Sequence, residues 1–291
     1  MSLEERAALD EVVERLALLE VKPDLFEAAP NENGMDRLYG GQVVAHALAA
    51  ADRTAGEDRP VHSCHGYFIR AGDPAAPVRY RVDRDRDGRS FSSRRVTALQ
   101  HGAPIFTMGV SMHVREAGPS HQRPMPETPA PETLPRQIDV LREQADIHAL
   151  RNPGVIALNL PLDLRAVDPV DPIAFAPLPA SRRYWLRANG KLPDDERLHR
   201  QLFAWASDLN LMHTGLMPLG IGWSDPRLQT ASLDHAMWFH RPFRIDEWLL
   251  CVMDSPVAGS ALTLAHGQLY TRDGELVASV AQQGLIRLRE R

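Results

Sequence analysis

Three polar residues stand among apolar or small neighbours. Asp208 lies in Phe203-Ala204-Trp205-Ala206-Ser207-Asp208-Leu209-Asn210-Leu211-Met212, and Ser232 lies in Gln229-Thr230-Ala231-Ser232-Leu233-Asp234-His235. Gln282 continues the alternating face of Leu276, Ala278 and Val280. A carboxylate in apolar company loses hydration, which favours taking a proton from water. A hydroxyl and an amide can hold that water in place. Such a set suffices for thioester hydrolysis, because thioester carbonyls are poorly resonance-stabilised and thiolates leave readily. No covalent nucleophile is needed if backbone N–H groups meet the oxyanion, and a helix starting near Asp208 could aim them. Each residue also has a plain structural explanation: an aspartate at a helix N-cap, a strand serine making a local bond, an amide serving buried partners. The chemistry rests on the three together.

Other chemistries lack their residues. Gly109-Val110-Ser111-Met112-His113 misses the closing glycine of a serine-hydrolase elbow and falls in a strand pattern. No phosphate-cradling loop or dinucleotide fingerprint occurs. His62, Cys64 and His65 cluster, as do His235 and His240, but no second cluster of matching spacing supports a metal site. These histidines read as hydrogen-bonding groups at a strand surface or subunit interface. The chain is expected to need no cofactor and no metal.

The elements that must position the site repeat. Leu9, Val12, Val13, Leu16 and Leu19 predict an amphipathic opening helix. Gly40-Gly41 precedes Gln42 to Ala51, an alanine-rich and uncharged run that predicts a helix buried on most sides. Strands are predicted at Cys64–Ile69, Val78–Asp83, Arg89–Gln100 and Pro104–Val114, punctuated by Asp87-Gly88 and His101-Gly102. The second half follows the same plan. It has a helix from Asp208 toward Leu216, then strands at Ala231–Phe239, Trp248–Met253, Ser260–Thr271 and Glu275–Leu288, with turns at Ala258-Gly259 and Asp273-Gly274. The last two turns of each half are almost equally spaced, so a duplicated α+β module is expected, each a sheet wrapped around one helix. Pro119, Pro124, Pro126, Pro129, Pro131 and Pro135 mark a linker. The predicted division is 1–118, a connecting segment 119–179, and 180–291 carrying the site.

The bulk properties narrow the partners. With 291 residues, 44% of them hydrophobic, and a net charge of -5, the chain can build a large core but offers no global positive field for nucleic acid. Lys22 and Lys191 are the only lysines, so phosphates on a substrate must meet arginines. Two cysteines, Cys64 and Cys251, make no disulfide framework. The opening segment lacks a secretory pattern, no apolar run approaches a membrane span, and the closing Arg-Leu-Arg-Glu-Arg is not a Ser-Lys-Leu address. A cytoplasmic protein is expected.

Longer blocks carry a resemblance. Asp234-His235-Ala236-Met237-Trp238-Phe239-His240-Arg241-Pro242-Phe243 with Glu247-Trp248-Leu249-Leu250 resembles the signature of the acyl-CoA thioesterase II family. So do Trp185-Leu186-Arg187-Ala188, Ala206-Ser207-Asp208-Leu209-Asn210 and Val277-Ala278-Ser279 leading to Gln282. In the first half Gly40-Gly41-Gln42-Val43-Val44, Tyr67 to Asp73 and Arg86 to Phe91 are similar to the same family. The resemblance implies two fused hotdog modules, each an antiparallel sheet wrapped around a long helix, and hydrolysis of fatty acyl-CoA to free acid and CoA. It places the catalytic roles on Asp208, Ser232 and Gln282, with Ser232 standing where several relatives have threonine. It also implies a homo-oligomer. When the halves are aligned on Gly102 and Gly274, Val110 falls opposite Gln282, which favours one active site per chain. Two alternatives stand beside this reading. Asp208-Leu209-Asn210-Leu211-Met212-His213 resembles the Asp-x-Asn-Pro-x-His motif of hotdog-fold enoyl-CoA hydratases, with Ser207 and Leu211 departing from it. A non-catalytic acyl-CoA-binding protein is the other, although a binding module has no need of a general base.

Overall fold

The structure is a computed structural model that describes residues 2–31, 35–143, 160–170, 176–223 and 225–289. The chain opens with α1 (Leu3–Leu16), whose first turn is closed by a capping box. In that box Ser2 Oγ accepts from Glu5 N–H while Glu5 Oε2 accepts from Ser2 N–H. The predicted opening helix therefore stops short of Leu19, which begins β1 (Leu19–Lys22), paired with β2 (Leu25–Ala28). Next comes α2 (Gly40–Asp52), buried from Gly41 through Asp52, as its uncharged run predicts. Around it fold β3 (Val61–Phe68), β4 (Val78–Asp87), β5 (Phe91–Gln100) and β6 (Ala103–His113). After α3 (Gln137–Glu143) and β7 (Leu162–Ala166) come β8 (Ser181–Ala188), α4 (Glu196–Ser207) and α5 (Leu211–Leu216). The strands β9 (Leu228–Ser232), β10 (Asp234–Phe239), β11 (Leu249–Gly259), β12 (Leu262–Thr271) and β13 (Leu276–Leu288) complete the second half.

Every described strand pair is antiparallel, and the order is β1-β2-β4-β5-β6-β3-β10-β13-β12-β11-β8-β7, with β9 also on β13. The two expected sheets are thus one continuous sheet, joined where β3 pairs with β10 (Gly66↔His235, Cys64↔Met237). Each half still wraps its own helix, and α2 and α4 meet inside. This is an α+β fold of two fused hotdog modules.

The duplication extends to a defect. In β3 the register against β6 slips by one residue between Val61↔Met112 and Ser63↔Ser111. The second half slips by one between Ser232↔Gly284 and Ala236↔Ala281. Aligning the two halves on Gly102 and Gly274 brings these bulges to the same place.

Two expectations change. The helix predicted to run from Asp208 is split. The long helix α4 ends at Ser207, Asp208 is its C-cap, and Asn210 takes a left-handed conformation (φ 67°) that turns the chain into α5. Helical spacing before Asp208 carries the main helix. The β11–β12 turn lies on Ser260-Ala261, both at positive φ (53° and 60°), rather than on Ala258-Gly259. Gly259 pairs instead with Leu262, so the ladder runs two residues further than the glycine signal predicts.

The proline-rich segment is packed. Trp185 Nε1–H donates to Pro129 O (2.9 Å), and Met125 and Leu134 cover a second apolar cluster of Trp185, Trp248, Leu250 and Tyr270 on the outer sheet face. Arg187 lies over the Trp248 ring at 4.4 Å. The connection therefore shields a face that its sequence partners would leave wet.

Candidate active site

The C-terminus of a helix is a poor place for a carboxylate, since the helix dipole is negative there. Asp208 holds that position on α4 because the N-terminus of α2 comes to meet it: Gly41 N–H donates to Asp208 Oδ2 at 3.0 Å. The approach is too close for side chains. A Cβ on Gly41 would lie 2.2 Å from Trp205 O, and one on Gly40 would lie 2.7 Å from Asp208 Oδ2. Tyr39 OH donates to Trp205 O (2.9 Å) and its ring packs edge-on against Trp205, fastening the two helix ends.

Ser232 reaches the same place through the bulge. Without the slip it would pair with Leu285 and point away from the helices. With it, Ser232 pairs with Gly284, two residues from Gln282 on the same face. Asp234 secures the irregularity by accepting Gln283 N–H at 2.6 Å. Gln282, 2% exposed, donates through Nε2 to both Asp208 Oδ1 and Ser232 Oγ at 2.7 Å. Ser232 Oγ lies 3.4 Å from Asp208 Oδ1. All three residues singled out in the sequence are thus brought into one hydrogen-bonded group.

A fourth residue joins them. His235, 1% exposed, faces Gln282 Oε1 through Nδ1 at 3.2 Å and Ser207 Oγ through Nε2 at 2.8 Å. Burial pushes its pKa down, so the ring is neutral. The sequence reading put His235 at a strand surface or interface; the strand face it shares with buried Met237 and Phe239 was the available signal. The other histidines noted there are placed separately. His62 bonds Ser111 Oγ, His240 bonds Ser279 Oγ, and His65 packs on Trp238. His213, the histidine of the hydratase-like motif, turns to Arg182 and Trp223, and burial lowers its pKa to about 4.

The group opens on a cavity of about 830 Å³ at Ser232 and Gly40. Phe68, Ile69, Ile105 and Leu233 supply apolar wall, while Arg37, Arg70 and Arg289 line it beside Asp36, the one acid of its described lining. At the equivalent place in the first half, Val61, Cys64 and Val110 stand for Ser232, His235 and Gln282. Only an acid is retained: Asp52, the last residue of α2, faces Arg200 of α4 at 3.7 Å. A valine pair and a buried thiol cannot orient water.

Fold and site together define a thioester hydrolase of the hotdog class. The model of the acyl-CoA thioesterase family matches residues 176–285, and that of the acyl-CoA thioesterase N-terminal domain matches residues 29–113. The chain is 39% identical over 279 residues to acyl-coenzyme A thioesterase 8 of Homo sapiens, covering 91% of this chain and 85% of that one. It is 36% identical over 282 residues to acyl-CoA thioesterase 2 of Haemophilus influenzae, covering 97% and 99%. The crystal structure of the acyl-CoA thioesterase II TesB2 from Mycobacterium marinum superposes with a TM-score of 0.78 at 39% identity, covering 96% and 99%. The chain belongs to the acyl-CoA thioesterase family.

Proposed function

We propose that the chain hydrolyses acyl-CoA to a free acid and CoA, with Asp208 as general base and Ser232 and Gln282 holding the attacking water. The observation that carries this reading is the Gln282 amide, which bonds the Asp208 carboxylate and the Ser232 hydroxyl at the cavity wall. Asp208 takes a proton as the water oxygen bonds to the thioester carbonyl carbon. The negative charge gathers on the carbonyl oxygen, where the positive end of α2, lining the cavity at Tyr39 and Gly40, stabilises it. Collapse breaks the C–S bond, and the proton passes from Asp208 to the departing sulfur.

The direct test is thiol release from a saturated acyl-CoA followed with a thiol reagent. Release is expected; a hydratase or a mere binding protein releases none, and its absence would overturn the reading. The protein contributes little background, because Cys64 and Cys251 are buried and burial raises each thiol to about 12.

The cavity arginines support an anionic substrate head, since guanidinium groups pair with phosphate in bidentate fashion. Reversing Arg37, Arg70 and Arg289 to glutamate together is expected to raise KM for acyl-CoA about tenfold or more, with kcat little changed. Raised ionic strength should narrow the gap between variant and parent. A KM that does not move would remove these arginines from the substrate site.

A further inference from the structure

We infer that His235 is a positioning residue that fixes which end of the Gln282 amide faces Asp208 and Ser232. The inference rests on the water-holding role proposed for Gln282. An amide presents a donor at one end and an acceptor at the other, and both ends of Gln282 are buried. Its Nε2 end serves the catalytic pair, so two acceptors, a carboxylate oxygen and a hydroxyl oxygen, meet a donor. Turned over, Oε1 would face the carboxylate, and like partial charges would push Asp208 and Gln282 apart.

The carboxylate opposes the reversal from the front, and a second constraint lies behind the amide. Gln282 Oε1 sits 3.2 Å from His235 Nδ1, so that nitrogen must carry the ring proton. A neutral imidazole then has a bare Nε2, which needs a donor. Ser207 Oγ, at 2.8 Å from Nε2, is in place to be that donor, its single proton having the Ala204 carbonyl oxygen at 2.9 Å as its other acceptor. With the Ser207 proton turned to the ring, the chain runs from Ser207 hydroxyl to Nε2, from Nδ1–H to Oε1, and from Nε2–H of the amide to Asp208 and Ser232. The opposite tautomer would leave Nδ1 bare toward Gln282 and favour the reversed amide. Ser207 is the last residue of α4 and Asp208 its C-cap, so one helix end supplies both termini of the chain. In the first half, Cys64 and Val110 replace His235 and Gln282 together, as expected of residues that serve one another.

The test is a set of substitutions read by kcat and KM separately, with thermal melting as the check on folding. His235→Leu removes the Nδ1 donor and is expected to lower kcat about 30-fold with KM nearly unchanged, because the loss is one of orientation rather than of binding. His235→Asn places an amide N–H where Nδ1 stood and should recover most of that loss. His235→Gln reaches toward Ser207 instead and should not. In a Gln282→Ala background His235→Leu is expected to add no further loss, since nothing remains to orient. Losses that multiply in the double variant, or equal kcat for the Asn and Gln variants, would overturn the inference while leaving the role of Gln282 intact. Should His235→Leu fail to fold, the comparison of Asn with Gln decides alone. Full turnover in Gln282→Ala by itself would remove the reading of the site, and this inference with it.

Discussion

Asp208→Asn is expected to lower kcat for acyl-CoA hydrolysis about a thousandfold, within the range ascribed to a general base. The substitution keeps the side-chain shape and removes the proton acceptor. It also disturbs the site, because Asp208 accepts at both oxygens, from Gly41 N–H at Oδ2 and from Gln282 Nε2 at Oδ1. An asparagine amide offers one acceptor and one donor, so whichever way it turns, an N–H group meets an N–H group. A buried donor left unpaired costs about 1–3 kcal/mol, and a modest fall in melting temperature should accompany the loss of turnover. Substrate binding, measured by equilibrium titration with a non-hydrolysable thioether analogue, is expected to survive. A variant that retained parental kcat would end the mechanism, whereas parental binding with no turnover in either protein would make the chain a binding module.

Gly41→Ala is expected to lower kcat about a hundredfold and to destabilise the fold at the same time. Its Cβ would stand 2.2 Å from the Trp205 carbonyl and 2.7 Å from the Tyr39 ring, both fixed parts of the contact between α2 and α4. The helix end must retreat, and the donor to Asp208 Oδ2 goes with it. Gly40→Ala makes a useful contrast. Its Cβ meets the Asp208 side chain itself at 2.7 Å, so activity should fall with a smaller change in melting temperature. Gly109→Ala, whose Cβ would meet nothing within 4 Å, should leave both unchanged. Kinetics and thermal melts on the three variants separate the effects; a fully active Gly41→Ala enzyme would show that the helix-end contact is dispensable.

Local chemistry made much of this protein legible in its sequence. The uncharged run after Gly40-Gly41 is the buried helix, because no charged side chain was present to demand a wet face. The eight predicted strand stretches and most turns follow from alternation and from glycines at positive φ, such as Gly102 and Gly274, whereas β1, β2, β7 and β8 were not predicted. Asp208, Ser232 and Gln282 were recognisable as polar groups in apolar company, and the signature blocks pointed to their family. The sequence misled where local signals compete. Asp208 looked like the start of a helix because aspartate favours N-caps, yet it closes one, and a compensating N–H group, that of Gly41, comes from the other half of the chain. The Ala258-Gly259 turn yielded to Ser260-Ala261 because cross-strand pairing of Ala258 with Thr263 and Gly259 with Leu262 carries the ladder past the glycine.

The opening trio therefore divides cleanly between the two sources. Residue types alone established that a base, a hydroxyl and an amide were available, since those are properties of side chains. Tertiary structure decided that they meet. A one-residue bulge turned Ser232 onto the face of Gln282, two glycines let the N-terminus of α2 reach Asp208, and a buried histidine backed the amide. Each of these depends on register and on contacts between residues far apart in the chain, and periodicity along a sequence carries no information about the partner across the sheet.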